Sequence, residues 1–399
     1  MKVCIRRGAK EIGGSAVELI NSAGERLVVD LGLPLDAEEN TIDLLPDIKG
    51  LKCKTDDLSG ILISHPHQDH YGLGLHIDKT IPIYMSKANS DIMDVCVEHH
   101  LPNSFAFENR HIFNSAEPFE IGQFKITPYL VDHSAYGAHA FLIEADNKRL
   151  FYSGDFRAHG RKSKLFNLFI KNPPKDIDVL LMEGSCLGRE QSEKYPSEQS
   201  LQDKFTEIIS KTKGICLIQS SSQNIDRIVT IFKACKKCRR MLVMCGYTGH
   251  ILMALNHNNN LPNFTWSDVK KYVTVKSKNH HVTKEIMEEE PEKYVVLLNW
   301  QIFNSLKNSS LMNENASFIY SMWNGYKKSY QDRLDFFELK KIKMYDVHTS
   351  GHADIPTLKA FADAVNAKRI VPIHTFFPEK FKEMFNNAEL HSDNETFEI

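Results

Sequence analysis

Residues 1 to 32 alternate apolar and polar positions in three short runs, KVCIRR, SAVELI and RLVVDLG, with EIGG as the turn between the first two. A period of two in turn-bounded runs predicts paired strands, so the chain opens as a strand meander and not as a strand-helix-strand unit. Further strands are predicted at Ile61 to Ile63, IPIYMS, FKITPYLV, AHAFLIEA, RLFYSGD and DVLLMEG. Several close on an ionisable residue (Asp30, Asp155, Glu183), a pattern that gathers polar groups along one sheet edge. After Pro196 the texture changes. Ser197 is placed to cap a helix with Leu201, Phe205, Ile208 and Ile209 on its apolar face, and strand ICLIQ follows. A helix bearing Ile225, Ile228, Val229 and Phe232 then leads into strand MLVMC. Strands YVVLLN and SFIYS extend this grammar to about residue 343, while the polar stretch 256–293 shows no period. Asp354 and Pro356 start a last helix, and RIVPIHT is a strand ending in His374. The organisation expected is one β-rich α/β domain, residues 1–195 and 344–399, interrupted by a second α/β domain over 196–343. No internal repeat is evident.

Composition narrows the function classes. The 399 residues are 42% hydrophobic and 25% charged, ordinary for a globular chain and unlike a disordered or collagen-like one. Lys+Arg number 49 against 51 Asp+Glu, a net charge of −2, so no global basic field holds nucleic acid and any anion site is local. Arg6, Arg7, Lys10 and Glu11 interrupt the first apolar run, which excludes a signal peptide or membrane span there and makes the cytoplasm the expected compartment. The eight cysteines lack disulfide-scaffold spacing and read as reduced thiols. Cys235 and Cys238 form a single CxxC without the second pair a zinc ribbon needs. Lys233, Lys236, Lys237, Arg239 and Arg240 are the densest basic cluster, read first as a solvated helix face and second as a track for an RNA backbone.

Candidate chemistry concentrates in one loop. His65-Pro-His67-Gln-Asp69-His70 places three imidazoles and a carboxylate directly after an apolar strand, more polarity than packing requires. Zinc-type divalent ions accept imidazole nitrogen and carboxylate oxygen, and a loop can present alternate side chains to neighbouring ions. Further donors stand at strand ends: His133 in VDHSAYG, Asp155 in YSGDF and His374 in VPIHT. Asp30 is better suited to orienting a ligand imidazole or the loop backbone than to direct ligation.

This ordered set resembles the metallo-β-lactamase superfamily, and the resemblance implies an αββα sandwich with a dinuclear metal site. By position, His65, His67 and His133 would hold the first ion, Asp69, His70 and His374 the second, with Asp155 bridging. Glu183-Gly-Ser185 resembles motif A of the β-CASP nucleases, His352 in HTSGHA motif B and His374 motif C; Asn224 to Ile228, NIDRI, resembles their inserted domain. In that family a histidine at motif C accompanies RNA processing, and the DNA-repair branch usually has valine. Motif C is commonly His-Gly-Glu and is His374-Thr375-Phe376 here. No appended RNA-binding domain is visible in the sequence, unlike archaeal members with KH domains and the J-type ribonucleases.

The resemblance thus implies a metal-dependent ribonuclease with two divalent ions, zinc first and manganese second, acting on single-stranded RNA without a membrane. Homodimerisation is left open. Two such ions with Asp69, Asp155 and one bridging hydroxide leave a net positive site that attracts a phosphate, and a two-metal site brings water towards ionisation near neutral pH. His352, paired with Glu183, would protonate the leaving ribose oxygen, giving a 5′-phosphate and a 3′-hydroxyl. Weaker phosphate contacts are assigned to His348, Ser350 and Gly351, and to Ser220, Ser221 and Ser222 ahead of a helix. A DNA nuclease, a small-molecule hydrolase of thioesterase or lactamase type, and a non-catalytic RNA-processing scaffold remain alternatives.

Overall fold

The computed structural model describes residues 1–189, 194–257 and 260–399, arranged as two compact units, Met1–Tyr195 with Gly351–Ile399 and Pro196–Ser350. Among the described residues no helix is long and apolar enough to cross a membrane.

The first unit is mixed α/β and contains two sheets. One begins as the predicted meander: Lys2–Arg7 pairs antiparallel with Ala16–Ile20, which pairs antiparallel with Arg26–Val29. Beyond that point Leu58–Leu62, Ile83–Ser86 and Arg110–Phe113 continue the sheet in parallel. The strand-helix-strand grammar therefore starts well before Pro196, with helix Lys87–Glu98 crossing between two of these strands. The second sheet runs Arg369–Ile373, Val179–Glu183, Lys148–Tyr152, His139–Ala145, Phe124–Leu130 and Phe119–Ile121. Alternation along the strands sends Val3, Ile5, Val17, Leu19, Leu27 and Val29 of one sheet against Phe141, Ile143, Leu150, Tyr152, Leu181 and Val371 of the other. The opposite faces carry their own apolar layers. Helix Ile355–Val365 covers the second sheet through Leu358, Phe361, Ala362 and Val365, and Tyr71, Leu73 and Met93 cover the first. Helix, sheet, sheet and helix thus form four layers.

The second unit has a seven-stranded sheet, all parallel, ordered His281–Val282, Val269–Tyr272, Met241–Met244, Tyr294–Leu298, Cys216–Gln219, Ser317–Tyr320 and Lys343–Asp346. Two of these strands and helix Lys284–Glu289 lie in the polar stretch that lacked a period; residues 258 and 259 of it lie outside the described residues. Because Lys343–Asp346 pairs with Ser317–Tyr320, the unit runs on to Ser350, seven residues past the boundary expected from sequence. Ser197 caps helix Glu198–Lys211 by accepting from Ser200 N at 3.1 Å. The NIDRI segment is explained by three contacts. Asn224 caps helix Ile225–Lys237, and fully buried Arg227 donates to Glu198 Oε1 from Nη2 at 2.9 Å and to Ser321 O from Nη1 at 3.2 Å. Thr230 Oγ1 completes the shell of Glu198 at 2.7 Å. A buried ion pair so surrounded ties two helices to a strand end.

Candidate metal centre

Every donor of the candidate site stands where a strand of the first unit ends. After Leu58–Leu62 the chain passes through buried Ser64 and His65 to His67, which precedes the single helical turn Gln68–Tyr71 carrying Asp69 and His70. This loop is bolted to the N-terminal segment by backbone bonds from Ser15 N to Asp69 O (3.1 Å), Leu31 N to His70 O (2.8 Å) and Leu33 N to Gln68 O (2.9 Å). The approach is close enough that a Cβ on Gly32 would lie 1.7 Å from Asp69 O, so only glycine fits there. His133 follows Phe124–Leu130, Asp155 follows Lys148–Tyr152, Glu183 ends Val179–Glu183 and His374 follows Arg369–Ile373. Asp30 and His374 adopt φ of 57° and 51°. The left-handed turn is costly for residues with a Cβ and marks both strand ends as over-determined by their surroundings.

The side chains converge on Asp155. Its Oδ2 lies 3.2 Å from His70 Nε2, 3.7 Å from both His65 Nε2 and His374 Nε2, 4.0 Å from His133 Nε2 and 3.6 Å from His352 Nδ1. On one side His65 Nε2 and His133 Nε2 stand 3.2 and 3.4 Å from His67 Nδ1. On the other, Asp69 Oδ2 lies 3.9 Å from His70 Nε2 and 3.8 Å from His374 Nε2. Metal–nitrogen bonds of about 2.0–2.1 Å place two tetrahedral ligands about 3.3–3.4 Å apart, so the first group has the spacing of donors around one ion. Buried Asp155 Oδ2, His70 Nε2 and His374 Nε2 make no directed hydrogen bond among the described residues. Polar atoms left facing one another at such distances suit a divalent cation better than each other. The triads His65-His67-His133 and Asp69-His70-His374 could each hold an ion, and Asp155 falls within reach of both.

The outer ring nitrogens are also occupied. His133 Nδ1 donates to Gly351 O at 2.6 Å, which leaves Nε2 with its lone pair towards the centre. His70 Nδ1 donates to Asp30 Oδ2 at 2.8 Å, and the same carboxylate accepts from Ser64 N, Ser64 Oγ and Tyr152 OH at 2.7–2.8 Å. His374 Nδ1 meets Ser15 Oγ at 2.8 Å, and His65 Nδ1 meets Ser64 Oγ at 3.0 Å. Ser15, Ser64 and Tyr152 escaped sequence reasoning because a hydroxyl in an apolar run carries no spacing signal.

Electrostatics follow from burial. Without metal, burial holds His65 and His133 well below the usual imidazole range and lowers His67 and His374, which keeps these rings neutral and able to ligate. Burial opposes charge on His70 too, but Asp155, Asp30 and Asp69 raise it well above the usual value. For Asp155 burial is outweighed by His374, His70 and His352, and the carboxyl stays well below its usual range.

Beside this cluster, His352 Nδ1 lies 3.3 Å from Glu183 Oε2. Burial disfavours the imidazolium of His352, while Glu183 and Asp155 more than compensate and raise its pKa. Glu183 is itself held by amides of Phe156 (3.2 Å), Ser185 (3.1 Å) and Ala353 (3.4 Å). The His352 side chain is 19% exposed and that of Asp69 16%, against 2% or less for His65, His70, His133, Asp155 and His374, so His352 and Asp69 face the opening.

Of the weaker phosphate candidates, Gly351 belongs to the first unit and the others to the second. The Gly351 carbonyl is taken by His133, and His348 and Ser350 belong to the second unit. Ser220, Ser221 and Ser222 follow the interior strand Cys216–Gln219 of that unit, where Ser222 Oγ bonds Thr248 Oγ1 at 2.7 Å and Ser221 Oγ accepts from Gln223 N at 3.3 Å. The helix cap beyond them is Asn224. In the basic cluster Lys236 pairs with Asp268 and Lys237 with Asp203, both at 3.3 Å, and buried Arg240 bonds the carbonyls of Thr212 and Gly214. It is a salt-bridged helix end.

Comparison with known proteins adds three findings. Residues 42–211 match the model of a beta-lactamase superfamily domain. Among curated proteins, Ribonuclease J of Helicobacter pylori (strain ATCC 700392 / 26695) is 23% identical over 262 residues, 62% of this chain and 36% of that protein. Ribonuclease J of Mycoplasma genitalium is 20% identical over 421 residues, 97% of this chain and 70% of that one. The chain thus spans little more than a third of the Helicobacter relative's length. A crystal structure of a protein of unknown function from Enterococcus faecalis V583 superimposes with a TM-score of 0.81 at 22% identity, covering 99% of each chain, and shares the fold.

Proposed function

We propose that this chain, which carries a beta-lactamase superfamily domain and is related to ribonuclease J, is a metal-dependent ribonuclease that leaves a 5′-phosphate and a 3′-hydroxyl. The observation that carries the reading is the pair of imidazole and carboxylate triads, His65-His67-His133 and Asp69-His70-His374, on either side of Asp155, with the His352–Glu183 pair beside them. His65, His67 and His133 would hold one divalent ion and Asp69, His70 and His374 the other, with Asp155 between them. Such ions supply Lewis acidity towards a phosphate oxygen and ionise water near neutral pH. The chain's own contribution is orientation: Asp30, Gly351 and Ser15 fix three of the rings through the nitrogens that face away from the centre. His352, partly exposed and steadied by Glu183, would give its proton to the departing ribose oxygen. By its resemblance to motif C of the β-CASP nucleases, histidine at position 374 goes with RNA as the substrate in preference to DNA.

The test is incubation of chelated and metal-restored protein with labelled single-stranded RNA and matched DNA, beside an Asp69→Asn control. Cleavage of RNA that needs metal and is lost on substitution is expected. Equal cutting of DNA, or hydrolysis of a thioester alone, would overturn the reading.

A further inference from the structure

Two of the chain's three tryptophans, Trp300 and Trp323, sit on the surface of the second unit, 58% and 43% exposed. They are not isolated. The guanidinium of Arg333 lies 4.9 Å from the ring centres of both Trp300 and Tyr330 and 5.5 Å from that of Phe303. Tyr330 meets Tyr320 at 6.0 Å, Tyr320 OH donates to Trp323 O at 3.1 Å, and Trp323 meets Tyr326, itself 46% exposed, at 5.3 Å. The result is one continuous aromatic array, rooted in the core through Phe303 and Phe337 and open to water at its outer rings.

Its place in the fold and its charge bear on what it binds. Trp300 follows strand Tyr294–Leu298, Trp323 follows Ser317–Tyr320, and Arg333 donates to Gln219 Oε1 at the end of the strand between them, at 2.9 Å. The array therefore spans the carboxyl edge of three adjacent parallel strands, the edge where open α/β sheets take ligands. Lys327 and Lys328 lie in the turn Asn324–Tyr330, where Lys327 pairs with Asp346 at 2.7 Å. Neither Lys328 nor Arg333 has a carboxylate within ion-pair distance among the described residues. A scattered exposed apolar residue is ordinary, but a contiguous set interleaved with cations is not. Flat rings with a planar guanidinium between them accept the faces of nucleobases, and Lys328 beside them suits a phosphate.

We infer that this edge is a stacking surface for single-stranded nucleic acid, separate in composition from the metal centre. It rests on the ribonuclease reading only in that RNA is the strand expected to occupy it. Each stacked base lost on alanine substitution weakens single-strand binding roughly 5- to 100-fold.

The test uses the full chain bearing Asp69→Asn, chelated so that nothing is cut, titrated with short oligoadenylate. Stacking quenches tryptophan fluorescence, and Trp266, packed 5.2 Å from Phe232, serves as the internal reference. The expected results are quenching in the parent, its loss in Trp300→Phe/Trp323→Phe with binding largely kept, and at least about tenfold weaker binding in Trp300→Ala/Trp323→Ala. Undiminished affinity in the alanine variant, or an array that instead pairs two copies of the chain and ignores oligoadenylate, would overturn the inference. Metal-restored wild type assayed in parallel separates the two readings. Cleavage with unchanged oligonucleotide affinity in the alanine variant removes the surface alone, and stacking without cleavage removes the ribonuclease alone.

Discussion

His352 belongs to neither proposed ligand triad and lies against Glu183, so its removal separates proton transfer from metal holding. His352→Ala is expected to keep its metal content by elemental analysis while turnover on RNA drops about 10²- to 10⁴-fold. Loss of metal instead would make the residue structural. A second histidine has a different consequence. His139 is buried beneath the site's sheet edge, donates Nδ1–H to Gly137 O at 2.8 Å and accepts from Ser115 Oγ at 2.7 Å, so its neutral form is satisfied on both sides. Burial lowers its pKa from 6.5 to about 4. The unfolded chain therefore binds a proton below about pH 6.5 that the folded one refuses until about pH 4, and stability falls as pH falls through that window. At pH 5 the loss is about 2 kcal/mol. Denaturant titrations of wild type and His139→Gln at pH 7 and pH 5 should show the smaller pH dependence in the variant; equal slopes would contradict this. Of the site itself, the His65–His70 loop and the strand-end donors were legible because they concentrate unusual chemistry at breaks in an apolar pattern. Ser15 and Tyr152 were not, since their roles come only from the folding that brings them to His374 and Asp30.

At the scale of elements, strands were easier to read than helices. Runs such as DVLLMEG and YVVLLN announce buried strands. Helix Gly246–Ala254 begins Gly-Tyr-Thr-Gly-His, and helix Lys87–Glu98 buries Asn89 and Ser90 beside its apolar residues, so neither presents a clean apolar stripe. The parallel pairing of Arg26–Val29 with Leu58–Leu62 was hidden too, because pairing partners are chosen across the connecting chain and not along it. The Glu198–Arg227 pair is the element-scale contact with the clearest energetic consequence. Arg227→Met would strand a carboxylate that is 1% exposed, at a cost of about 3–5 kcal/mol. Chemical denaturation should find the second unit destabilised by that amount, with Glu198→Gln/Arg227→Met recovering much of it; no difference between single and double variants would refute the pair's coupling.

The first unit is closed by both ends of the chain. Lys2–Arg7 pairs with Thr396–Glu398, and Arg369–Ile373 fills the edge of the second sheet beside Val179–Glu183. The second unit is threaded between, so His352 and His374 are the last of the clustered donors to be translated. While the ribosome is still reading the codons for residues 196–350, the emerged polypeptide holds His65, His67, His133 and Asp155 but neither the partner of Glu183 nor the third member of the Asp69-His70 triad. On the ribonuclease reading proposed above, the full set of donors and the His352–Glu183 pair exist only once residue 374 has emerged.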